Sequence, residues 1–198
     1  TTIYDLYLDN SGGERGTLSI TTNGYTEIYA NYNDYSIDAR NTNIDITNNG
    51  IFNEASPWDY PDTYIYDVYV DNDYNIDGVE GSDVGTFTVT TNGYTDINYD
   101  YANYAIEAYN TNITITNNGE DFVGDYSYDA DTYIYSVRIN ADWTSGITGS
   151  LIVNTKAYTN IQNIEVYNGD VDITNTGGDD LYLSYIYIST GSLDIDTG

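Results

Sequence analysis

Residues 16–50 read GTLSITTNGYTEIYANYNDYSIDARNTNIDITNNG, and residues 85–119 read GTFTVTTNGYTDINYDYANYAIEAYNTNITITNNG. The two blocks align without a gap and are identical at most positions. No other feature constrains the fold as tightly. Each copy must take the same local structure and bury its apolar side against its neighbours. The opening phrase TTIYDLYLDN (1–10) returns as TYIYDVYVDN (63–72) and as TYIYSVRINA (132–141). A third, shortened copy of the long block runs through GSLIVNTKAYTNI (149–161) and IEVYNGDVDITNTG (164–177), with six residues lost between them. LYLSYIYI (181–188) and TGSLDID (190–196) make a truncated fourth copy. The repeats divide the chain at 1–62, 63–131, 132–180 and 181–198, within one continuous β structure.

Inside each copy the pattern is that of strands. β-Branched and aromatic residues dominate, apolar positions alternate with polar ones, and no apolar stripe of helical period is present. Strict alternation through YIYDVYV puts Tyr64, Tyr66, Val68 and Val70 on one face, and Ile65, Asp67 and Tyr69 on the other. The third copy keeps Val137 and Ile139 on the first face and sets Ser136 and Arg138 on the second. The Val/Ile face is therefore expected to be core. In the second long block, Phe87, Val89, Ile97, Ile106, Ile113 and Ile115 are expected inward, with Thr86, Thr88 and Thr90 outward.

Asn-Gly pairs at 23–24, 49–50, 92–93, 118–119 and 168–169 end the short strands. Both residues tolerate positive φ, which tight turns demand. Such spacing suits the corners of a winding chain and also hairpins. Two all-β architectures follow. One is a β-solenoid or stack of β-arches, with coils of about 20 residues. The other is a β-sandwich, single or tandem.

Charge narrows the partners. The chain has 32 acidic and 4 basic residues, for a net charge of −28. Arg15, Arg40, Arg138 and Lys156 are the only cations, so no basic footprint exists for nucleic acid or for an anionic membrane surface. No stretch is long and apolar enough to insert into a bilayer as a helix. Without Cys there are no disulfides or thiolate metal sites, and without His the commonest acid–base group is missing. Lys156 has no catalytic motif around it, and carboxylate pairs carry no signal among 32 acids. The expectation is a protein that is not an enzyme. The missing initiator Met suggests processing, most simply removal of a secretion signal, and hence an extracellular or cell-surface location.

Three sets of residues are candidates for binding. Asp71, Asp73, Asn75 and Asp77 in DNDYNIDG offer oxygen ligands at alternate positions, as Ca²⁺ requires. An EF-hand would need Gly and Glu where Ile76 and Ser82 stand, so the alternative is a solvated acidic loop with no cofactor. Trp58 in SPWDYPD and Trp143 in ADWTSG are the best platforms for a sugar ring. With 25 Tyr in the chain, one ligand site cannot account for them all, and packing between strands or subunits is the better expectation. Tyr4, Tyr66, Tyr69, Tyr135, Tyr185 and Tyr187 of the opening-strand phrases are the expected assembly faces. Strands without lysine also lack the usual guard against edge-to-edge pairing. Asn112-Ile113-Thr114 is a glycosylation sequon.

GTLSITTNG, NIDITNNG, DVDITNTGG and GSLDIDTG resemble the G-x-L-x-I-x-x-x-G phrasing of filamentous-haemagglutinin-type β-solenoids. The acidic, Tyr/Asn/Thr-rich repeats also resemble the secreted proteins of amyloid-like sheaths around filamentous methanogenic archaea. Either likeness implies a structural role outside the cell and brings no catalytic residues with it. The expectation is a subunit that assembles with itself, through strand edges and Tyr-rich faces, into a sheath, filament or surface layer. The alternative is a surface adhesin or carbohydrate-binding module using exposed aromatics. A polysaccharide-active β-helix enzyme is a third, more distant reading.

Overall fold

The computed structural model describes residues 1–31, 34–73, 84–141 and 148–198. Among them there are strands and no α-helix. The chain winds through seven coils. The first holds β1 (Thr2–Tyr4), β2 (Leu6–Asp9) and β3 (Gly16–Thr22). The second holds β4 (Thr26–Tyr29), β5 (Ile37–Arg40) and β6 (Thr42–Asn48). The third holds β7 (Thr63–Tyr66), β8 (Val68–Asp71) and β9 (Gly85–Thr91). The fourth holds β10 (Thr95–Asn98), β11 (Ile106–Tyr109) and β12 (Thr111–Asn117), and a small hairpin, β13 (Phe122–Val123) and β14 (Ser127–Tyr128), follows it. In the last three coils the first two strands run together. They are β15 (Thr132–Asn140) with β16 (Gly149–Thr155), β17 (Thr159–Tyr167) with β18 (Gly169–Asn175), and β19 (Leu181–Ile188) with β20 (Leu193–Asp196). Each sequence repeat supplies two coils, and the truncated copy supplies one.

Every coil pairs in parallel with the next. One sheet of eleven strands carries the first and second walls, and one of seven carries the third. The only antiparallel pair among the described strands is β13–β14. Hairpin-linked antiparallel strands of a sandwich are thus not what this chain builds; it has a parallel, solenoid-like character. The registers set apolar side chains one above the other from coil to coil. Ile28, Ile65, Ile97, Ile134 and Ile161 stand one above the other on the first wall. Ile44, Phe87, Ile113, Leu151 and Val171 do so on the third. Both rows meet in one core and are almost wholly excluded from water. Phe87, Val89, Ile97, Ile106, Ile113 and Ile115 all lie in it, as their alternation suggests.

The alternation through 64–70 breaks, which corrects the face assignment. Ile65 is fully buried beside Val68 and Val70, whereas Tyr64 and Tyr66 face outward. Asp67 takes a positive φ of 55° between the two strands. That residue turns the chain around a corner and shifts the inward phase by one. Asp5, Ser136, Asn163 and Tyr185 take the same conformation at the same corner of other coils. Short polar side chains tolerate it best; Tyr185 is the exception.

A second corner differs from expectation as well. Positive φ falls on Asn41, Asn110 and Asn168, between the second and third walls, and among the Asn-Gly pairs only Asn168 has it. Gly50, Gly93, Gly119 and Gly169 of those pairs serve close approach instead, whereas Gly24 has open space around it. A Cβ on Gly119 would sit 2.7 Å from Asn92 O and 2.7 Å from Ala130 Cβ. Buried polar side chains close the third corner. The Thr22 and Thr26 hydroxyls lie 2.6 Å apart, and Thr91 and Thr95 2.7 Å apart. In the alternate coils Asn takes over: Asn48 Nδ2 donates to Gly24 O, Pro61 O and Thr63 Oγ1, and Asn117 repeats this with Gly93 O, Ala130 O and Thr132 Oγ1. These buried corner side chains thus find hydrogen-bond partners within the wall, as burial requires.

Candidate assembly surfaces

The parallel register that stacks the core also stacks the outward residues. Tyr4, Tyr29 and Tyr66 form one column on the first wall, and Tyr135 continues it beyond Asn98. Tyr4 and Tyr29 meet edge to face at 4.4 Å, and the Tyr29 hydroxyl donates to that of Tyr4 at 2.8 Å. Tyr69 and Tyr187 share the second-wall column of Tyr7. Tyr187 packs on the Tyr167 ring at 5.6 Å. Tyr185 is set apart from these columns, exposed at its positive-φ corner.

The longest aromatic run lies elsewhere. Tyr25, Tyr64, Tyr94, Tyr133 and Tyr158 follow one another at 5.6, 5.7, 5.6 and 5.9 Å between ring centroids. It alternates a turn tyrosine with a strand tyrosine. The turn members precede the buried corner threonines in GYT, GYT and AYT, a recurring phrase that could have pointed to them. Desolvation by burial raises the Tyr64 and Tyr133 phenols to about 12 and lifts Tyr94, and outside this run Tyr66 and Tyr69, in the same direction. The tyrosine face thus adds no charge at neutral pH. Between Tyr64 and Tyr133 sits Asp96, whose carboxyl burial pushes up to about 6. On the second wall Arg138 lies 3.9 Å from both Glu107 and Glu165, with the Tyr104 and Tyr167 rings 5.3 and 5.4 Å from its guanidinium carbon.

The third wall is chemically different. Its outward residues are Thr, Asn, Ser and Asp, with Ile152 interrupting them, and its outer face holds no aromatic. Asn112 stands here on β12, its Oδ1 accepting from Ser150 Oγ at 2.9 Å. The sequon therefore lies within the central strand of the seven-stranded sheet, on its polar outer face.

Two 14-residue connections, 49–62 and 118–131, project beside the stack and pack on each other. Phe52 and Tyr128 are parallel at 4.8 Å, with Phe122 and Tyr60 against them. The Tyr128 hydroxyl donates to Asp62 Oδ1 at 2.8 Å and accepts from Tyr94 N at 2.7 Å. Trp58, 81% exposed, and Ile51, 75% exposed, line an open cleft of roughly 520 Å³ with Tyr25, Tyr60 and Asn53. Trp143 lies outside the described residues.

Of the expected Ca²⁺ ligands, Asn75 and Asp77 also lie outside the described residues. Asp71 accepts from Asp73 N at 3.0 Å and from the Tyr69 hydroxyl at 3.4 Å, and Asp73 Oδ1 accepts from Asn110 Nδ2 at 2.7 Å. Among the described residues no three acidic side chains are grouped to hold a metal ion.

The first and last coils expose the ends of the stack. Leu193 and Ile195, which continue the core rows of the third wall, are 45% and 43% exposed. Ile3, Leu6, Leu8 and Leu18 are only partly buried at the other end. Compared with protein-family models, curated proteins and solved structures, the chain matches none.

Proposed function

We propose that the chain is a β-solenoid building unit that assembles with copies of itself into an extracellular sheath, filament or surface layer. One observation carries the reading: both end coils leave core rows and strand edges uncovered within this chain, although the coils between them are sealed. Uncovered parallel edges are templates for further pairing. The lateral tyrosine columns stiffen the stack, and the acidic loops keep it hydrated. The reading assigns no residue a catalytic role and requires no cofactor. Negative-stain microscopy of the purified chain at neutral pH tests it. Ordered fibres or sheets are expected; monodisperse monomers at all concentrations, with and without Ca²⁺, would overturn it.

A second reading, a carbohydrate-binding surface, is favoured by the cleft beside Trp58. An exposed indole flanked by tyrosines and amide side chains has the chemistry to stack on a pyranose and bond its hydroxyls. Glycan-array binding that Trp58→Ala abolishes would establish it, and no binding to any glycan would remove it.

A further inference from the structure

We infer that the partner surface of the first coil is the last coil of a second copy, stacked head to tail in the register that joins the coils within the chain. This rests on the assembly reading above and specifies its interface. Taking the last coil as the top, one further step of the register sets Leu183 of one copy under Ile3 of the next, Ile186 under Leu6, and Leu193 under Leu18. Each of these columns is aliphatic or aromatic through every coil between, so the core would run on without a polar interruption.

A hydrogen-bond pair fits the same step. Asn72 joins the coils on either side of it: its Oδ1 accepts from Thr42 N below at 2.9 Å, and its Nδ2 donates to Thr111 Oγ1 above at 2.9 Å. Asn10 holds the equivalent corner of the first coil. Its Nδ2 donates upward to Thr42 Oγ1, while its Oδ1 has no donor among the described residues. The residue that would lie beneath it is Gly191, in the position of Thr42. At that position the N–H points upward in coil after coil: Gly16 to Asn41 O, Gly85 to Asn110 O, Gly149 to Asn168 O and Gly169 to Thr190 O. The Gly191 N–H at the top of one copy is thus the donor that Asn10 at the bottom of the next lacks.

Among the described residues, nothing covers either surface. The connection at 10–15 folds upward, away from the lower edge: Asn41 Nδ2 donates to Asn10 O and Gly13 O, and Arg15 donates to Val84 O in the third coil. The last coil rounds its first corner through Tyr185 alone and carries no inserted loop. Charge permits the junction too. Tyr187 would face Tyr7, Ser189 would face Asp9, and Asp194 would face Ser19, so no acid opposes an acid although the chain carries 32 of them.

The absence of native cysteine makes the test clean. Ser19→Cys and Asp194→Cys in one chain would place two thiols on neighbouring in-register strands, about 4.8 Å apart between Cα atoms, inside the disulfide range. Both positions are exposed, so folding is not at stake. Mild oxidation under assembling conditions, read by non-reducing electrophoresis, is expected to give a ladder of covalent multimers that reduction collapses. The offset pair Thr17→Cys with Asp194→Cys is expected to give at least tenfold less. Fibres that cross-link only through the offset pair, or through neither pair, would overturn the head-to-tail register and leave the assembly reading standing. Neither fibres nor cross-links from any variant or from the unmodified chain would overturn both.

Discussion

Asp67 shows how a single residue redirects a strand. It takes positive φ, it is fully buried, and its carboxylate accepts from Asp100 N at 3.0 Å, Tyr101 N at 3.2 Å and Ala102 N at 3.1 Å. The corner and the loop of the next coil therefore depend on one side chain. Asp5 does the same for Asn31 N, whereas Ser136 stands at the corner below the copy that lost six loop residues. Asp67→Ala is expected to cost about 1–3 kcal/mol for the orphaned amides, and roughly 1 kcal/mol more for positive φ. Asp67→Asn, which keeps an acceptor and tolerates the conformation, should cost less; urea midpoints compare the two. The phase shift was hidden in the sequence because alternation through 64–70 is unbroken. The one clue was a short polar residue at the same place in three copies.

Asp96 makes a prediction about pH. Its carboxyl, desolvated between tyrosines, holds a proton up to about pH 6, above its ordinary value of 3.8. Between those values the folded chain binds more protons than the unfolded one, so this group's contribution to stability falls as pH rises through the window. Asp96→Asn should raise the melting temperature at pH 7–8 and change it little near pH 3.5. A melting temperature equally shifted at both pH values would mean that packing, not ionisation, is responsible.

At the scale of elements, the two lateral connections act as a pair. They belong to different repeats, yet Phe52, Phe122 and Tyr128 make one aromatic cluster, and the Tyr128 hydroxyl ties Asp62 to Tyr94 N. Tyr128→Phe keeps the ring stack and removes both hydrogen bonds. It is expected to cost about 1–3 kcal/mol, a fall of several degrees in calorimetry, because a half-buried carboxylate and an amide lose their partner. The sequence marks these segments as loops through their unequal, acidic composition. It does not reveal that they meet, since that depends on how many coils separate them. Strand positions were legible for the opposite reason: Phe87, Val89, Ile113 and Ile115 alternate in a pattern that only a one-sided wall explains. The corner threonines and asparagines were not, because Thr22 or Asn48 buried at a corner is indistinguishable by type from Thr21 or Asn43 facing water.

For the whole molecule, repetition and β composition lead to an all-β fold with a β-solenoid as the first expectation, while the spacing of the turn pairs also suited the alternative, a sandwich. The pairing observed is parallel, and it is a property of the connections: each strand of the three walls pairs with its counterpart one coil later, not with its immediate successor. The tyrosines were expected on the faces, and columns are what parallel register makes of them. If copies continue the stack end to end, fibre diffraction or helical reconstruction of the assembled chain measures it most directly. Seven coils at about 4.8 Å predict an axial subunit repeat of roughly 34 Å, with strong 4.8 Å order along the fibre axis. Fibres whose 4.8 Å spacing runs across the axis, or whose subunit repeat bears no relation to seven coils, would contradict it.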